Sequence, residues 1–286
     1  MAGRPPLPGF AQLCQKPLEF DLQHEFKADL AGPGNKPRHG FETVESCVAE
    51  DCLRAAFLKR IGGRAALRLA ELLDESALDF AHDTQASATY CRQLRRVETD
   101  VLWKYMASRP AHDLHTCTIL QAGWQVSGDD LPTFNTTRML KQLRVKVTNG
   151  RPCPPGEWLF GRVHGEFDSR IKMFQMHVHG ICTRHFVPRQ RRRDTGRPVP
   201  GIRVPVQFKP IRDPARQMSY LMQSYWPDRP TFFLNGEEQR PREKRRIREP
   251  WGSQVLLWLH RQTLGTMQIK VGLTNSTYNP QVRNSG

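Results

Sequence analysis

Several features that define common protein classes are missing from this sequence. Its seven cysteines are scattered and none belongs to a Cys-x-x-Cys pair, which argues against a zinc ribbon. No apolar stretch reaches the roughly 18 residues of a membrane-spanning helix, and the proline-rich start differs from a secretory signal. A glycine-rich loop followed by Lys-Ser or Lys-Thr is also absent, so nothing supports an attached ATPase. We therefore expect a cytoplasmic protein with reduced thiols and no membrane partner.

Positive charge, in contrast, is abundant. The chain has 43 lysines and arginines against 28 acidic residues, which gives a formal net charge of +15. Between positions 184 and 249 there are 17 basic and 7 acidic residues, so most of the excess charge lies in that part of the chain. This distribution favours a nucleic acid as partner. The densest run contains Arg189, Arg191, Arg192 and Arg193, which we expect to contact DNA phosphates from a loop; the alternative is a solvated linker.

Changes in composition divide the chain into four parts. Residues 1–42 carry six prolines and five glycines and are predicted to be irregular. Residues 43–110 are rich in Ala, Leu, Glu and Arg, which predicts an accessory region of helices with a break near Gly62 and Gly63. We expect the catalytic domain at 111–235. A basic C-terminal extension, with a helix at 254–260, would follow at 236–286.

The most informative local pattern is an alternation of apolar and polar residues around two histidines. In positions 174–182 the polar set contains His177 and His179, so a strand here would bury one face and present both imidazoles on the other. Positions 157–167 alternate in the same way, with His164 and Glu166 on the polar face. Turn residues at 168–170 separate the two segments, which predicts an antiparallel hairpin.

Such a hairpin would assemble a metal site. Glu166, His177 and His179 would project from one side of neighbouring strands, within cross-strand reach of one another. Imidazole suits Mn²⁺ and related transition metals, whereas a carboxylate with waters suits Mg²⁺. We therefore predict that these three side chains hold a divalent metal ion, Mg²⁺ or Mn²⁺. His164 shares the face of Glu166 and is a further candidate, although we interpret it as a histidine outside the ligand set.

With these residues, positions 116–226 resemble the HUH endonucleases of the replication-initiator type, which nick the DNA of rolling-circle plasmids and related mobile elements. The resemblance rests on the His-Val-His strand at 177–179, on the acidic Glu166 in the preceding strand, and on a tyrosine in a helix after a further strand. It implies an α+β fold with a central antiparallel sheet and a split βαβ, ferredoxin-like core. The other predicted elements fit that order, namely strands at 116–124 and 203–208 and helices at 135–146 and 213–225.

The helix predicted at 213–225 contains two tyrosines, and the resemblance implies that the nucleophile lies on it. Tyr220 and Tyr225 are five residues apart, so they diverge by roughly 140° around a helix and cannot share a face. We favour Tyr220 as the single nucleophile because Pro227 follows Tyr225 closely and is expected to end the helix. The resemblance implies that Tyr220 becomes joined to a 5′ phosphate and releases a 3′ hydroxyl.

Two neighbours would support Tyr220. Many family members carry a lysine three residues after the tyrosine, where this chain has Gln223. A glutamine can hydrogen-bond a phosphate or a water molecule, but it brings no positive charge. Arg216, one turn before the tyrosine, could supply that charge. Charge near the phosphate matters because a phenol with a pKa of about 10 is a weak nucleophile at neutral pH.

The sequence therefore predicts an enzyme that nicks and rejoins DNA and initiates rolling-circle replication of a plasmid or mobile element. Its substrate would be single-stranded or extruded origin DNA, and a separate helicase and polymerase would unwind and copy that DNA. Two alternatives stay open. The same chemistry serves HUH transposases and relaxases. A non-catalytic basic DNA-binding protein would carry the same charge and use its histidines structurally.

Overall fold

The computed structural model of the protein describes residues 44–79, 84–107, 109–187, 206–211, 217, 221, 226–235, 237–239 and 245–273. The described helices are α1 (Val44–Ile61), α2 (Arg64–Asp79), α3 (Ala88–Ala107), α4 (Thr136–Thr148) and α5 (Trp251–His260). The described strands are β1 (Leu114–Ser127), β2 (Leu159–Asp168), β3 (Met173–Thr183), β4 (Val206–Pro210), β5 (Pro227–Asp228), β6 (Phe232–Leu234), β7 (Glu237–Gln239), β8 (Arg245–Arg246) and β9 (Gln268–Val271). Within these ranges, no helix combines the length and the apolar character that a bilayer-spanning segment needs.

Seven strands form one mostly antiparallel sheet. Its order is β4-β1-β3-β2-β5-β8, and β9 also pairs with β2. Strand β3 is antiparallel to both β1 and β2, and β4 is antiparallel to β1. The short pairing of β2 with β5 is parallel, and β6 and β7 form a separate hairpin. The fold is mixed α and β around this sheet, as the sequence predicted at that level.

The predicted histidine hairpin is confirmed. Strands β2 and β3 pair in an unbroken antiparallel register from Leu159 opposite Cys182 to Asp168 opposite Met173. Their bounds agree with the alternating segments at 157–167 and 174–182 to within two residues. Both strands are almost entirely buried. That burial exceeds the one-sided pattern of the sequence, because apolar layers cover both faces of the sheet.

The two apolar layers differ in composition. One contains buried residues of α1, α2, α4 and α5 together with the odd-numbered side chains of β2, such as Val163. The other contains Phe160 and Ile181 of the sheet, Leu102 of α3, and Leu221. Because side chains alternate between the faces of a strand, the even-numbered positions of β2 lie under α3. The histidines belong to this second face.

The helical segment before β1 divides where the sequence predicted. Helix α1 ends at Ile61 and α2 begins at Arg64. Between them Gly62 and Gly63 have φ angles of +69° and +87°, a region that glycine enters without steric cost. The predicted break is therefore confirmed. Buried residues of both helices, including Leu58 and Leu69, belong to the same apolar cluster as the sheet.

Most other predicted elements are found with shifted ends. The strand predicted at 116–124 extends over Leu114–Ser127, and the helix predicted at 135–146 covers Thr136–Thr148. The strand predicted at 203–208 is observed at Val206–Pro210, and its first three residues lie outside the described ranges. Of the helix predicted at 213–225, Gln217 and Leu221 are described and both are helical. Residues 1–42, predicted to be irregular, lie outside the described residues.

The region after position 236 contributes to the core of the fold. Strand β9 pairs with β2 from Leu159 opposite Val271 to Arg162 opposite Gln268. Helix α5 begins three residues before the predicted start and adds Trp258 to the apolar layer on the first face. The sequence pattern did not predict β9, since its four residues are too few to show a period.

Candidate metal centre

Three histidines converge on the face of the sheet that α3 covers. The register sets His164 directly opposite His177 and sets Arg162 opposite His179. Directly opposed residues of antiparallel strands point to the same face. Each imidazole offers one ring nitrogen, and these three nitrogens lie within 4.8 Å of one another. In the described part of the chain, this is the group of side chains whose spacing could hold a metal ion.

Hydrogen bonds to carbonyl groups fix the tautomers of two of the histidines. The Nδ1 atom of His177 lies 3.1 Å from the carbonyl oxygen of Gln175. The Nε2 atom of His164 lies 2.9 Å from the carbonyl oxygen of Leu221. A carbonyl oxygen only accepts, so both ring nitrogens must carry the hydrogen. In the neutral rings, Nε2 of His177 and Nδ1 of His164 therefore keep the lone pairs that a metal requires.

The third imidazole, His179, lies between a histidine and a hydroxyl group. Its Nε2 atom lies 3.0 Å from Nε2 of His177, and its Nδ1 atom lies 2.9 Å from Oγ1 of Thr118. Because Nε2 of His177 holds a lone pair, Nε2 of His179 donates to it and Nδ1 accepts from the hydroxyl. A hydroxyl can rotate and accept instead. Thr118 can therefore support either tautomer of His179, including the one with its Nε2 lone pair available to a metal.

The spacing of the imidazoles fits a metal ion. Two imidazole nitrogens at right angles around an ion, each about 2.1 Å from it, lie roughly 3.0 Å apart. The Nε2 atoms of His177 and His179 have that separation. The full spread of 4.8 Å exceeds the roughly 4.2 Å that two such bonds in a line can span. A small inward movement of one ring would therefore be needed to bring all three nitrogens onto one ion.

The cluster is buried, and its described neighbours toward β4 are more exposed. His164, His177 and His179 expose 1%, 4% and 6% of their surface. On the same face, Thr118 of β1 lies opposite His179 and is half-buried. One strand further, Gln207 of the edge strand β4 lies opposite Thr118 and is exposed. Among the described residues of this face, exposure therefore increases from the histidines across β1 toward β4.

A buried ion pair adjoins the cluster. Nη1 of Arg162 lies 3.1 Å from Oε2 of Glu98 in α3, and Nη2 donates to Gln85 at 2.8 Å. Gln268 of β9 donates to the other carboxylate oxygen of Glu98. The side chains of Arg162 and Glu98 are 7% and 0% exposed. Both charged groups are hydrogen-bonded, so neither is buried without a partner. The network can therefore hold α3 against the sheet beside the histidines.

Glu166, predicted as a metal ligand, lies outside the three-residue group. Nη1 of Arg229 donates to its Oε1 atom at 2.8 Å, and the two side chains are 25% and 14% exposed for Arg229 and Glu166 respectively. The structure thus brings together the two predicted histidines with His164, and it places the Glu166 carboxylate on a guanidinium group. An ion at the three imidazoles would have a ligand set of nitrogen atoms.

The predicted nucleophile and its neighbours lie outside the described residues. This applies to Tyr220, Gln223 and Arg216, and to the arginines at 189, 191, 192 and 193. The residue that follows Tyr220 in the chain is described. Leu221 is helical and buried, and its carbonyl oxygen accepts from His164. The described residue next to the predicted nucleophile therefore contacts the histidine cluster directly.

His164 joins the cluster, although the sequence pattern did not place it there. The alternation of residues in β2 placed His164 on the same face as Glu166. It did not show which residue of β2 lies opposite His177. A one-residue difference in the length of the turn moves every cross-strand neighbour, so register decides the ligand set. A turn of four residues between Asp168 and Met173 sets His164 opposite His177. His185 packs its ring against Phe186 outside the cluster.

Comparisons with protein families, curated protein sequences and solved structures find no match for this chain.

Proposed function

We propose that this protein is a metal-dependent enzyme that nicks and rejoins DNA through Tyr220, and that it initiates rolling-circle replication of a plasmid or mobile element. The observation that carries the proposal is the contact between His164 and Leu221. Three imidazoles converge at one point of the sheet, and the carbonyl group beside the predicted nucleophile touches one of them. The proposed metal ligand His164 is thus hydrogen-bonded to the residue that follows the proposed nucleophile in the chain.

The three histidines support a transition metal more than Mg²⁺. Imidazole nitrogen suits ions such as Mn²⁺, Fe²⁺ and Zn²⁺, whereas Mg²⁺ prefers oxygen ligands and retained waters. We propose that His164, His177 and His179 hold the ion, and that Mn²⁺ serves better than Mg²⁺. When bound, a divalent ion at this place would polarise the scissile phosphate and screen its charge. Glu166, held by Arg229, is proposed to shape the rim of the site.

The reaction proposed for Tyr220 is a transesterification. Its phenolic oxygen loses a proton and attacks the phosphorus, the bond from phosphorus to the 3′ oxygen breaks, and that oxygen takes up a proton as a 3′ hydroxyl. The products are a 5′ phosphotyrosine and a free 3′ end. One phosphoester replaces another, so rejoining needs no external energy source. Arg216 and Gln223 are proposed to contact the phosphate, because a cation and an amide donor near the phosphoryl oxygens favour charge development there.

The topology of the sheet supports a split βαβ, ferredoxin-like core. Strands β1 and β2 are both antiparallel to β3, which lies between them, so β1 and β2 run in the same direction. Helix α4 follows β1 and precedes β2 in the chain. The order β4-β1-β3-β2 then completes an antiparallel sheet in which the histidine strand is central. A central strand is a rigid support, which a site that aligns a phosphodiester requires.

The proposed substrate is single-stranded or extruded origin DNA, and the net charge of +15 supports a polyanionic partner. The arginines at 189 and 191–193 are proposed to contact its phosphates. A separate helicase and polymerase would act after the nick, and the reaction would take place in the cytoplasm. Because shared chemistry does not specify which DNA is mobilised, a transposase or relaxase of the HUH type is the related alternative.

Formation of a covalent adduct tests the proposal. The protein is incubated with labelled single-stranded DNA of an origin library and Mn²⁺, and products are separated in denaturing gels. We expect a labelled protein band that Tyr220→Phe abolishes and that Tyr225→Phe, the matched control on the same segment, retains. Mass spectrometry of the trapped peptide identifies the attacking residue. If only the Tyr225 variant lost the band, Tyr225 and not Tyr220 would be the nucleophile. If no band formed with any metal, nicking would be refuted.

Burial of the histidines favours a second candidate, a non-catalytic DNA-binding protein with a structural histidine cluster. None of the three rings exposes more than 6% of its surface. A binding protein would give a salt-sensitive, reversible shift with no adduct, and EDTA would not change it. Replacing His177 by Ala would then lower stability without changing DNA affinity at a temperature where the variant is folded. The enzyme instead requires loss of the adduct in a folded variant.

A further inference from the structure

A second site lies at the other end of β2, where the strand meets β5, β8 and the start of α5. It is a cavity of about 450 Å³, within the range of cavities that hold small ligands. Residues of opposite chemical character line it, among them Phe167, Ser169, Asp228, Arg245, Arg248 and Trp251. We infer that this cavity binds one nucleotide unit of single-stranded DNA, with the phosphate on Arg245 and Arg248 and the base against Trp251.

Three arginines line the cavity, and two of them have exposed side chains. Arg246 is engaged with Glu50, to which it donates from Nη1 at 2.8 Å and from Nη2 at 2.5 Å. Arg245 and Arg248 are exposed at the cavity wall. Exposed guanidinium groups reach phosphate oxygens with paired, planar donors, which suits a nucleotide phosphate.

Each of the two carboxylates at the cavity accepts a hydrogen bond from a backbone amide. Oδ1 of Asp228 accepts from the amide of Ser169 at 3.1 Å, and Oε2 of Glu249 accepts from the amide of Ser253 at 3.2 Å. Ser253 lies in the first turn of α5, so the Glu249 carboxylate is held at the positive end of that helix. A carboxylate with a structural hydrogen bond is held in place, and its position sets where an incoming anion can lie. The phosphate would therefore lie toward Arg245 and Arg248.

Trp251 supplies a fixed aromatic wall. It is half-buried, its ring centroid lies 5.8 Å from that of Phe167, and the two rings are tilted by 43°. Gly128 lies against the indole, and a Cβ at that position would overlap the ring. Because residue 128 is a glycine, there is room for the Trp251 indole at the cavity wall. Bases stack on fixed aromatic rings with little dependence on sequence.

The inference rests on the proposed function, because it assigns the cavity to the DNA that flanks the nick. His164 and Ser169 are five residues apart, which along a strand is roughly 17 Å. The cavity lies beside Phe167, on the first face of the sheet, whereas the histidines are on the second. DNA that reaches both sites must therefore pass around a sheet edge.

Fluorescence anisotropy with a labelled 12-residue thymidine oligonucleotide tests the site. The measurement is made in EDTA over a series of salt concentrations. The variant Arg245→Ala/Arg248→Ala should bind at least tenfold more weakly. Loss of two phosphate contacts should also lower the slope of log affinity against log salt by roughly 1.4. The matched control is Arg64→Ala/Arg68→Ala, which removes two exposed charges from α2 and should bind within twofold of the wild type.

Tryptophan fluorescence tests whether a base stacks on Trp251. Titration with the unlabelled oligonucleotide should quench emission in the wild type, and Trp251→Phe should lose most of this quenching while its thermal melting stays cooperative. Equal binding by the arginine variant and its control would overturn the inference. Quenching that persists in Trp251→Phe would overturn the stacking, and heparin binding without any quenching would mark a general anion site instead.

The two proposals fail separately. Binding in EDTA does not depend on nicking, so a missing covalent adduct together with weaker binding by the Arg245 and Arg248 variant would refute the enzyme and leave the cavity as a DNA site. An adduct together with unchanged binding by that variant would support the enzyme and refute the cavity as a DNA site.

Discussion

The Nε2 atoms of His177 and His179 lie 3.0 Å apart on one face of β3. At that distance one nitrogen donates a hydrogen and the other accepts it, which matches the donors and acceptors around the rings. A metal ion would replace that shared hydrogen and take both lone pairs. The pair is therefore arranged so that metal binding and a histidine hydrogen bond exclude each other, and binding of the ion requires the hydrogen of His179 to move from Nε2 to Nδ1, where Thr118 can accept it.

Metal affinity should depend on the three histidines and much less on Glu166. Replacing His164, His177 or His179 by Ala removes a nitrogen ligand, and we expect each variant to lose more than 100-fold in affinity for Mn²⁺. This exceeds the roughly 10- to 100-fold effect of removing a hydrogen-bond partner of a ligand. Glu166→Gln should bind within about tenfold of the wild type, because its carboxylate is held by Arg229. Isothermal titration calorimetry measures both.

The control for these variants is His185→Ala, which removes a histidine that packs on Phe186 outside the cluster. It should bind Mn²⁺ like the wild type. A large loss of Mn²⁺ affinity in Glu166→Gln, together with wild-type affinity in His164→Ala, would contradict the three-histidine site. It would support the ligands predicted from the sequence, which are Glu166, His177 and His179.

Thr118 should tune the metal site without being a ligand. Its hydroxyl lies 2.9 Å from Nδ1 of His179 and can donate or accept as that ring changes tautomer. Thr118→Val keeps the shape but removes the hydroxyl, so we expect roughly a 10- to 100-fold loss of metal affinity. Thr118→Ser should restore most of it. If Val and Ser variants bind the metal equally well, the hydroxyl does not orient the imidazole.

Gly180 should tolerate no side chain. It follows His179 in β3, and a Cβ there would lie 2.6 Å from the carbonyl oxygen of Phe160 and 2.7 Å from Sγ of Cys117. A backbone carbonyl in a paired strand cannot move aside cheaply, so Gly180→Ala should destabilise the protein by about 1–3 kcal/mol. Urea denaturation measures the free energy of unfolding. Gly123→Ala in β1 is the control, since nothing lies within 4 Å of its Cβ position. Equal stabilities of the two variants would contradict the expectation.

How far the sequence predicts the site depends on the range of the interactions involved. Period-two alternation is a local property, and it correctly gave the two strands and the face that carries His177 and His179. The pairing of His164 with His177 depends on turn length and on the fit of the whole hairpin, which alternation does not contain. The third histidine of the cluster is therefore set by tertiary structure and not by the local pattern.

The same distinction applies to the fold. The break at Gly62 and Gly63 follows from residues that lie next to each other in the chain. The position of β9 beside β2 follows from packing between residues more than 100 positions apart, as in Leu159 with Val271. Likewise, no sequence motif marks Arg229, yet its side chain forms an ion pair with Glu166, which lies far away in the chain. Such partners are chosen by tertiary structure, so a single sequence does not reveal them.

Lys270 should make stability depend on pH in the alkaline range. This β9 residue is half-buried near the ion pair of Arg162 and Glu98. The pKa of Lys270 is lowered from 10.5 to about 8, chiefly by burial; Glu98 opposes this change and Arg162 contributes to it. Between these two values the unfolded chain keeps a proton that the folded chain has lost. The free energy of unfolding attributable to Lys270 therefore rises as the pH increases through this window.

Comparison with Lys270→Met isolates that contribution, because both proteins share every other titrating group. Below pH 8 the wild type carries a half-buried charge, so we expect the variant to be the more stable protein at pH 7. The advantage should shrink steadily between pH 8 and about 10.5, where the folded wild type no longer carries the charge. Urea denaturation at pH 7, 8, 9 and 10 gives the difference directly. A difference that stays constant over this range would show that burial does not depress the pKa of Lys270.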